Sequence, residues 1–227
     1  MGVTDRYRNV ADLPSALPLF PLRGAILLPR ATLTLNVFEP RYLALMDHAL
    51  ATDRLIGVVQ PAPEAGNAES PAGTTFPLRR IGCAGRIYAF NENDDGRVVV
   101  SLTGIARFAV VSDIEQQTPF RAARVDFAPY EIDFIAGHGE DKVDRPRLLA
   151  TLKNYLSANN LHVDWDRINN ASTERLVNSL SVLSPYGPEE KQCLLEAQDL
   201  GARAEALVAL AEMELAARDD GSGTSIQ

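Results

Sequence analysis

Several groups of side chains in this sequence have the composition of a reactive or ligand-binding site. Asn91, Asn93, Asp95 and Gly96 fit the opening half of a calcium loop, D-x-[DN]-x-[DN]-G. The last position of such a loop must bring two oxygens from one glutamate, and here it is Leu102, between runs that read as strands. The reading is a plain turn. His162, Asp164 and Asp166 alternate in LHVDWDR, so in an extended chain all three point one way, a set able to bind a divalent metal. With no second histidine nearby, a solvated loop anchored by Trp165 in a helical bundle is the simpler account. His48 stands beside Asp47 with no identifiable serine or cysteine partner, and reads as a helix-surface residue. Cys83 and Cys193 form no CxxC pair and read as small buried hydrophobes in a reduced compartment. Gly82 and Gly85 belong to neither a phosphate loop nor a dinucleotide fingerprint, and glycine inside a strand marks a bulge or bend. No catalytic residue, metal ligand or cofactor is therefore expected.

The elements that would position these residues follow from the apolar pattern. Leu17, Leu19 and Phe20 form an apolar run broken by Pro18 and Pro21. Proline cannot donate to a ladder, so this strand is expected at a sheet edge, where it could accept a peptide by strand pairing unless the prolines block it. Leu33, Leu35 and Val37 alternate with polar residues as a half-buried strand. Glu39-Pro40 opens a helix with Leu43, Met46 and Leu50 on one face. Leu55–Gln60 is a buried-type strand, and Pro61–Thr75 is a loop without periodicity, either disordered or a lid. Ile81–Phe90 and Arg97–Leu102 form a hairpin about an Asp-Gly turn, with further strands at Ala106–Ile114 and Phe120–Phe127. This succession points to an antiparallel, closed or nearly closed sheet.

Beyond Tyr130 the period becomes helical. Residues 131–143 read as a linker. Asp144 caps a helix carrying Leu148, Leu152 and Tyr155 that ends at Asn159-Asn160. Ser172 or Thr173 starts a second helix, stopped by Pro185. A third follows Gly187-Pro188, and Gly201 marks its end or a kink before a last helix through Leu207 and Leu215. The expected organisation is an extension over 1–13, a β-domain over 14–130, the linker, a helical domain over 144–217 and a frayed tail over 218–227.

The chain has 227 residues, 46% hydrophobic and 23% charged, as in ordinary globular proteins. No apolar run is long enough to span a bilayer and the N-terminus lacks a signal-peptide core, so a cytoplasmic, membrane-free protein is expected. Net charge is −8. Residues 1–130 hold 13 acidic and 13 basic side chains, while 131–227 hold 17 and 9, so the excess lies in the helical part. Nucleic-acid binding relies on clustered Lys and Arg, which argues against that partner.

FPLRGAILLPRATLTLNVFEPRYLALM, over residues 20–46, resembles the opening of the Lon protease N-terminal, substrate-binding domain, especially its free-standing bacterial form and more distantly the Lon-like domain of cereblon. The resemblance resumes over Arg79–Val111 and again around Leu176–Leu215. It implies an α+β fold, a PUA-like pseudo-barrel of mostly antiparallel strands with one inserted helix, followed by a C-terminal helical bundle. It also implies a module that binds protein substrates or partners. Full-length Lon proteases carry ATPase and Ser-Lys peptidase modules after this domain, and the present sequence ends before either could begin. The expected function is thus non-enzymatic binding of a protein or an unfolded polypeptide segment, in company with a protease or chaperone. A small-molecule or nucleotide-sensing PUA-like domain is the alternative. Oligomeric state is left open. Within the resembling blocks, Arg23, Arg41 and Tyr42 could contact an extended peptide through a guanidinium or an amphipathic ring. Against this, Glu39 could pair with one of the arginines and Tyr42 could simply cover the core.

Overall fold

The computed structural model describes residues 6–65, 76–94, 96–159 and 163–222. Asp95, His162 and most of the Pro61–Thr75 loop lie outside them. Six strands, β1 (Ala16–Pro21), β2 (Thr32–Val37), β3 (Leu55–Pro61), β4 (Leu78–Glu92), β5 (Val98–Ile114) and β6 (Arg121–Asp126), are joined in the order β2-β5-β4-β3-β1-β6. β6 returns to pair with β5, so five strands close into a ring with β2 added along the first half of β5. Every pairing is antiparallel except β1 with β3. A pseudo-barrel of mostly antiparallel strands is therefore present, and helix α1 (Pro40–Ala51) is the one inserted between strands.

Two expectations are corrected here. β1 is not an edge: it pairs with β6 over Ala16–Leu19 and with β3 over Leu19–Pro21. The two neighbours take successive halves of the strand. Pro18 thus has a registered partner only in β6 and Pro21 only in β3, and each missing N–H falls where one flank carries no ladder. Both sides of β1 are thus partly taken by neighbouring strands, which an edge strand's are not. The hairpin reading also split β5, which runs unbroken through Gly104 for 17 residues. Gly104 is there because the Leu28–Pro29 loop crosses it: a Cβ would lie 2.0 Å from the Leu28 carbonyl oxygen.

The barrel interior is packed by Leu17, Leu19, Leu55, Ala84, Ile105, Phe108 and Val125. Phe108 fills the centre because its neighbours have no side chain; a Cβ at Gly82 would stand 2.6 Å from its ring. A second core lies between the barrel wall and the helices, joining Leu27, Leu28, Leu45, Ile87 and Leu102 to Leu176, Leu194 and Leu207. β3 is buried from Leu55 to Gln60 because it serves both cores, which explains why it carries no charge. On α1 the buried set is Tyr42, Leu45, Met46 and Ala49, one step around from the expected stripe, with Leu43 and Leu50 flanking it.

The helical part comprises α2 (Arg145–Ala158), α3 (Trp165–Asn170), α4 (Thr173–Leu183), α5 (Pro188–Glu196) and α6 (Leu200–Ser222). Asp144 and Ser172 cap α2 and α4 by accepting from Arg147 N and Arg175 N. Gly201 lies in the first turn of α6, whose start is held by Asp199 Oδ1 accepting from Ala202 N at 2.9 Å. Residues 128–134 and 140–142 form short 3-10 turns.

Candidate functional site

A cleft of about 470 Å³ opens where the end of the barrel meets the first turn of α1. Four segments distant in sequence converge on it: Pro21 at the end of β1, Arg41 and Tyr42 on α1, Phe76 before β4, and the β5–β6 connection from Asp113 to Ala122. Barrel closure brings them together, since β6 pairs with both β1 and β5. The connecting loop is folded back on itself, with Gln116 Nε2 and Thr118 Oγ1 both donating to the Phe120 carbonyl.

One wall is a stack. The Phe20 and Tyr42 rings lie 4.3 Å apart, and the Arg41 guanidinium covers Tyr42 at 4.7 Å from its centroid. Tyr42 also donates its hydroxyl to the Pro21 carbonyl at 3.3 Å. Opposite, the Arg121 guanidinium sits over the Phe76 ring at 5.5 Å and donates to the Phe76 carbonyl at 2.6 Å. Each arginine carries a carboxylate: Arg41 holds Glu39 at 2.6 Å and Arg121 holds Asp113 at 2.8 Å. Burial pushes the Tyr42 phenol above its ordinary pKa, against the lowering influence of Arg41. The positive charge of Arg121 lowers it as well, and the Glu39 carboxylate raises it. The cleft can hold an amphipathic group by hydrogen bonding and aromatic contact. Among the described residues it contains no nucleophile and base in contact, and no three His, Cys, Asp or Glu side chains gather as a metal site.

Arg41 and Tyr42, named from sequence, thus line one cleft. Arg23 does not: it is exposed on the β1–β2 connection, where the adjacent Gly24 N–H donates to Gln60 Oε1. Glu39 pairs with Arg41, and Tyr42 both covers the core and borders the cleft. Sequence reading missed Phe76, Asp113, Phe120 and Arg121. The available signal was an aromatic directly before proline or arginine, at Phe76-Pro77 after the predicted loop and at Phe120-Arg121, where a predicted strand begins. Asp164 and Asp166 lie at the start of α3, which is helical, so the alternation suggested for them does not hold. His48 is exposed beside the Phe120 ring. Cys83 is buried but Cys193 is exposed on α5, contrary to expectation.

A second polar cluster joins the barrel to the helices. Arg107, in the middle of β5, makes a two-nitrogen, two-oxygen fork with Asp133, Nε to Oδ2 and Nη2 to Oδ1, both at 2.9 Å. Its remaining nitrogen donates to the Leu195 and Ala197 carbonyls at the end of α5, and its plane covers Tyr130 at 4.6 Å. Nearby, Arg30 is bound to Glu174 on α4 and to the Asp133 carbonyl. Residues 131–143, expected as a linker, therefore supply the carboxylate that pins barrel to bundle. A lone arginine in the apolar run Ile105–Val111 was the sequence signal for it.

The model of the ATP-dependent protease La (LON) substrate-binding domain family matches residues 16–212, which include both clusters. The chain belongs to the Lon substrate-binding domain family. Lon protease 2 of Myxococcus xanthus is 32% identical over 118 residues, covering 52% of this chain and 14% of the relative. Protein cereblon of Danio rerio is 29% identical over 124 residues, covering 53% of this chain and 27% of the relative. The chain thus spans only a small part of the length of the Lon proteases it matches. The crystal structure of a Lon N-terminal domain protein from Xanthomonas campestris superposes with a TM-score of 0.59 at 24% identity, covering 86% of this chain and 98% of that one. The likeness extends to the fold as a whole, barrel and helices together. No helix of the described residues is long and apolar enough to cross a membrane.

Proposed function

We propose that this protein is a non-enzymatic module that binds a segment of polypeptide, in an unfolded chain or on a partner protein, at the cleft between α1 and the β5–β6 connection. The reading is carried by one observation: in a family described by substrate binding, residues 41 and 42 share a cleft of about 470 Å³ with Phe76, Phe120 and Arg121. A guanidinium and an aromatic ring on each wall suit an extended chain, whose backbone offers carbonyls and whose side chains offer apolar surface. Arg23, exposed on the neighbouring connection, is a further contact for a longer segment. The partners are cytoplasmic proteins, with a protease or chaperone receiving what is bound. Neither nucleic acid nor membrane is among them, and no cofactor is involved.

The test is photo-crosslinking from position 114, at the edge of the cleft, to a reduced and alkylated model protein. Crosslinking that a Tyr42→Ala variant abolishes, with the fold intact by circular dichroism, supports the reading. Crosslinking that is absent, or unchanged in that variant, removes it. A second reading, a small-molecule or nucleotide sensor, is favoured by the cleft volume, which falls in the range of ligand pockets. It predicts a rise in melting temperature with a metabolite and none with polypeptide.

A further inference from the structure

The two arginine pairs of the cleft are built differently from the pair at the barrel–helix junction. Arg107 and Asp133 use the parallel fork, two nitrogens on two oxygens. In the cleft, Arg121 serves both Asp113 oxygens from the single nitrogen Nη2, at 2.9 and 2.8 Å. Arg41 directs Nε and Nη2 at one oxygen, Glu39 Oε2. Both are weaker arrangements of the same groups. The arginines are also the better anchored members. Arg121 and Arg41 side chains are each 21% exposed, whereas Asp113 is 51% and Glu39 41% exposed. Phe76 holds Arg121 by ring and carbonyl, and the Phe20–Tyr42 stack backs Arg41, so either carboxylate can swing into solvent without moving its guanidinium.

We propose that the cleft recognises a carboxylate on the bound polypeptide, its C-terminal group or an Asp or Glu side chain, which displaces Asp113 from Arg121 and Glu39 from Arg41. Asp113 is a placeholder that keeps Arg121 paired between binding events, and Glu39 holds Arg41 in the same way beside its other contacts. Among the described residues the cleft is also lined by the Arg41 guanidinium and the Glu115 carboxylate; with Asp113 turned outward, Arg121 Nη2 presents its hydrogens to an incoming carboxylate. Ile114, Pro119 and Phe120 supply the apolar floor for the side chain next to that carboxylate. This inference rests on the polypeptide reading and adds what the cleft selects.

The experiment is fluorescence anisotropy of an N-terminally labelled peptide, Ser-Gly-Ser-Ala-Leu-Ala-Leu, in three forms: the free acid, the C-terminal amide, and the amide with Asp in place of the second Leu. At low salt, amidation weakens binding by about tenfold or more, the scale of a charge-assisted fork. If side-chain carboxylates serve as well, the Asp peptide restores the affinity; if only the free acid binds tightly, the site reads chain ends. Asp113→Asn in the protein tightens the free acid severalfold and leaves the amide unchanged, because it removes the internal competitor. Arg121→Gln, in protein of unaltered circular dichroism, erases the difference between acid and amide. Equal binding of all three forms, untouched by Asp113→Asn, overturns the carboxylate proposal while leaving polypeptide binding intact. Absence of binding by every form, together with no crosslinking of unfolded protein, overturns both.

Discussion

The barrel carries guanidinium–carboxylate–aromatic clusters in two places, made of the same chemistry and set in opposite environments. At the junction with the helices, Arg107 and Asp133 side chains are 2% and 7% exposed, and the Arg107 nitrogens are used up by a fork and two carbonyls. In the cleft the arginines are partly exposed, their carboxylates more so, and neither pair is a fork. Burial decides the role. Two charges taken out of water repay their desolvation only when every donor and acceptor is met, so neither member of the junction pair can leave without stranding the other. A pair at the surface gains little and loses little when it opens. The junction is built to stay closed and the cleft to change partners.

The sharpest way to break this comparison is to remove the junction carboxylate. Asp133→Ala strands a buried guanidinium and the Arg107 N–H that Asp133 also accepts, and is expected to cost about 3–5 kcal/mol. For a chain of this size that lowers the melting temperature by roughly 10 °C, measurable by calorimetry. Replacing both members with apolar residues, Arg107→Met with Asp133→Leu, should recover much of the loss, since the cost lies in the orphaned charge. A loss under about 1 kcal/mol for Asp133→Ala would show that water reaches the junction and that the two places do not differ as described.

A smaller effect tests burial without an opposing carboxylate. Lys191 on α5 is buried and donates to the Ser181 and Val182 carbonyls at the end of α4. Desolvation lowers its amine from 10.5 to about 8. Between those values the unfolded chain keeps a proton that the folded chain has released, so this group makes stability rise with pH across that window. Below pH 8 both states hold the proton and the full cost of burying the charge, on the order of 3 kcal/mol, is present. Above pH 10 the tyrosines with raised pKa, Tyr42 and Tyr186 among them, act in the opposite sense, because the unfolded chain loses their protons first. Urea denaturation at pH 8 and pH 10 should therefore show a gain that Lys191→Met flattens. A slope unchanged in the variant would mean that the amine stays solvated.

How much of this was legible in the sequence follows the same division. The strands, α1 and the capped helices were readable because apolar period, proline and cap residues are local signals: Asp144 and Ser172 stand where the chain itself says a helix begins. The succession of short strands pointed to a closed or nearly closed sheet, and the family resemblance specified a PUA-like pseudo-barrel. The position of β1 is not legible from its prolines, which suit a sheet edge equally well, because the ring divides that strand between two neighbours. Half of the cleft was readable, since Arg41 and Tyr42 belong to the Phe38–Tyr42 block. The other half was not, because Phe76, Asp113 and Arg121 meet only through pairing of β6 with β1 and β5, and no local pattern encodes such a meeting. Arg107 was visible as a lone charge in an apolar strand, but its partner Asp133 lay in a segment whose glycines and charges read as linker.

The smallest expected effect bears most directly on function. Asp113→Asn removes a carboxylate from an exposed pair, and its cost in stability should stay within about 0.5 kcal/mol, a shift in melting temperature of no more than about 2 °C. Arg121 keeps the Phe76 carbonyl and ring, so the wall of the cleft stands. A near-silent thermal profile combined with tighter binding of the free-acid peptide is what a placeholder predicts. If Asp113→Asn instead destabilised the protein as Asp133→Ala does, the pair would be a structural fastening, and the cleft would be a second junction in place of a site. The two variants, measured side by side in one buffer, therefore separate a charge pair that holds the fold from one that waits for a ligand.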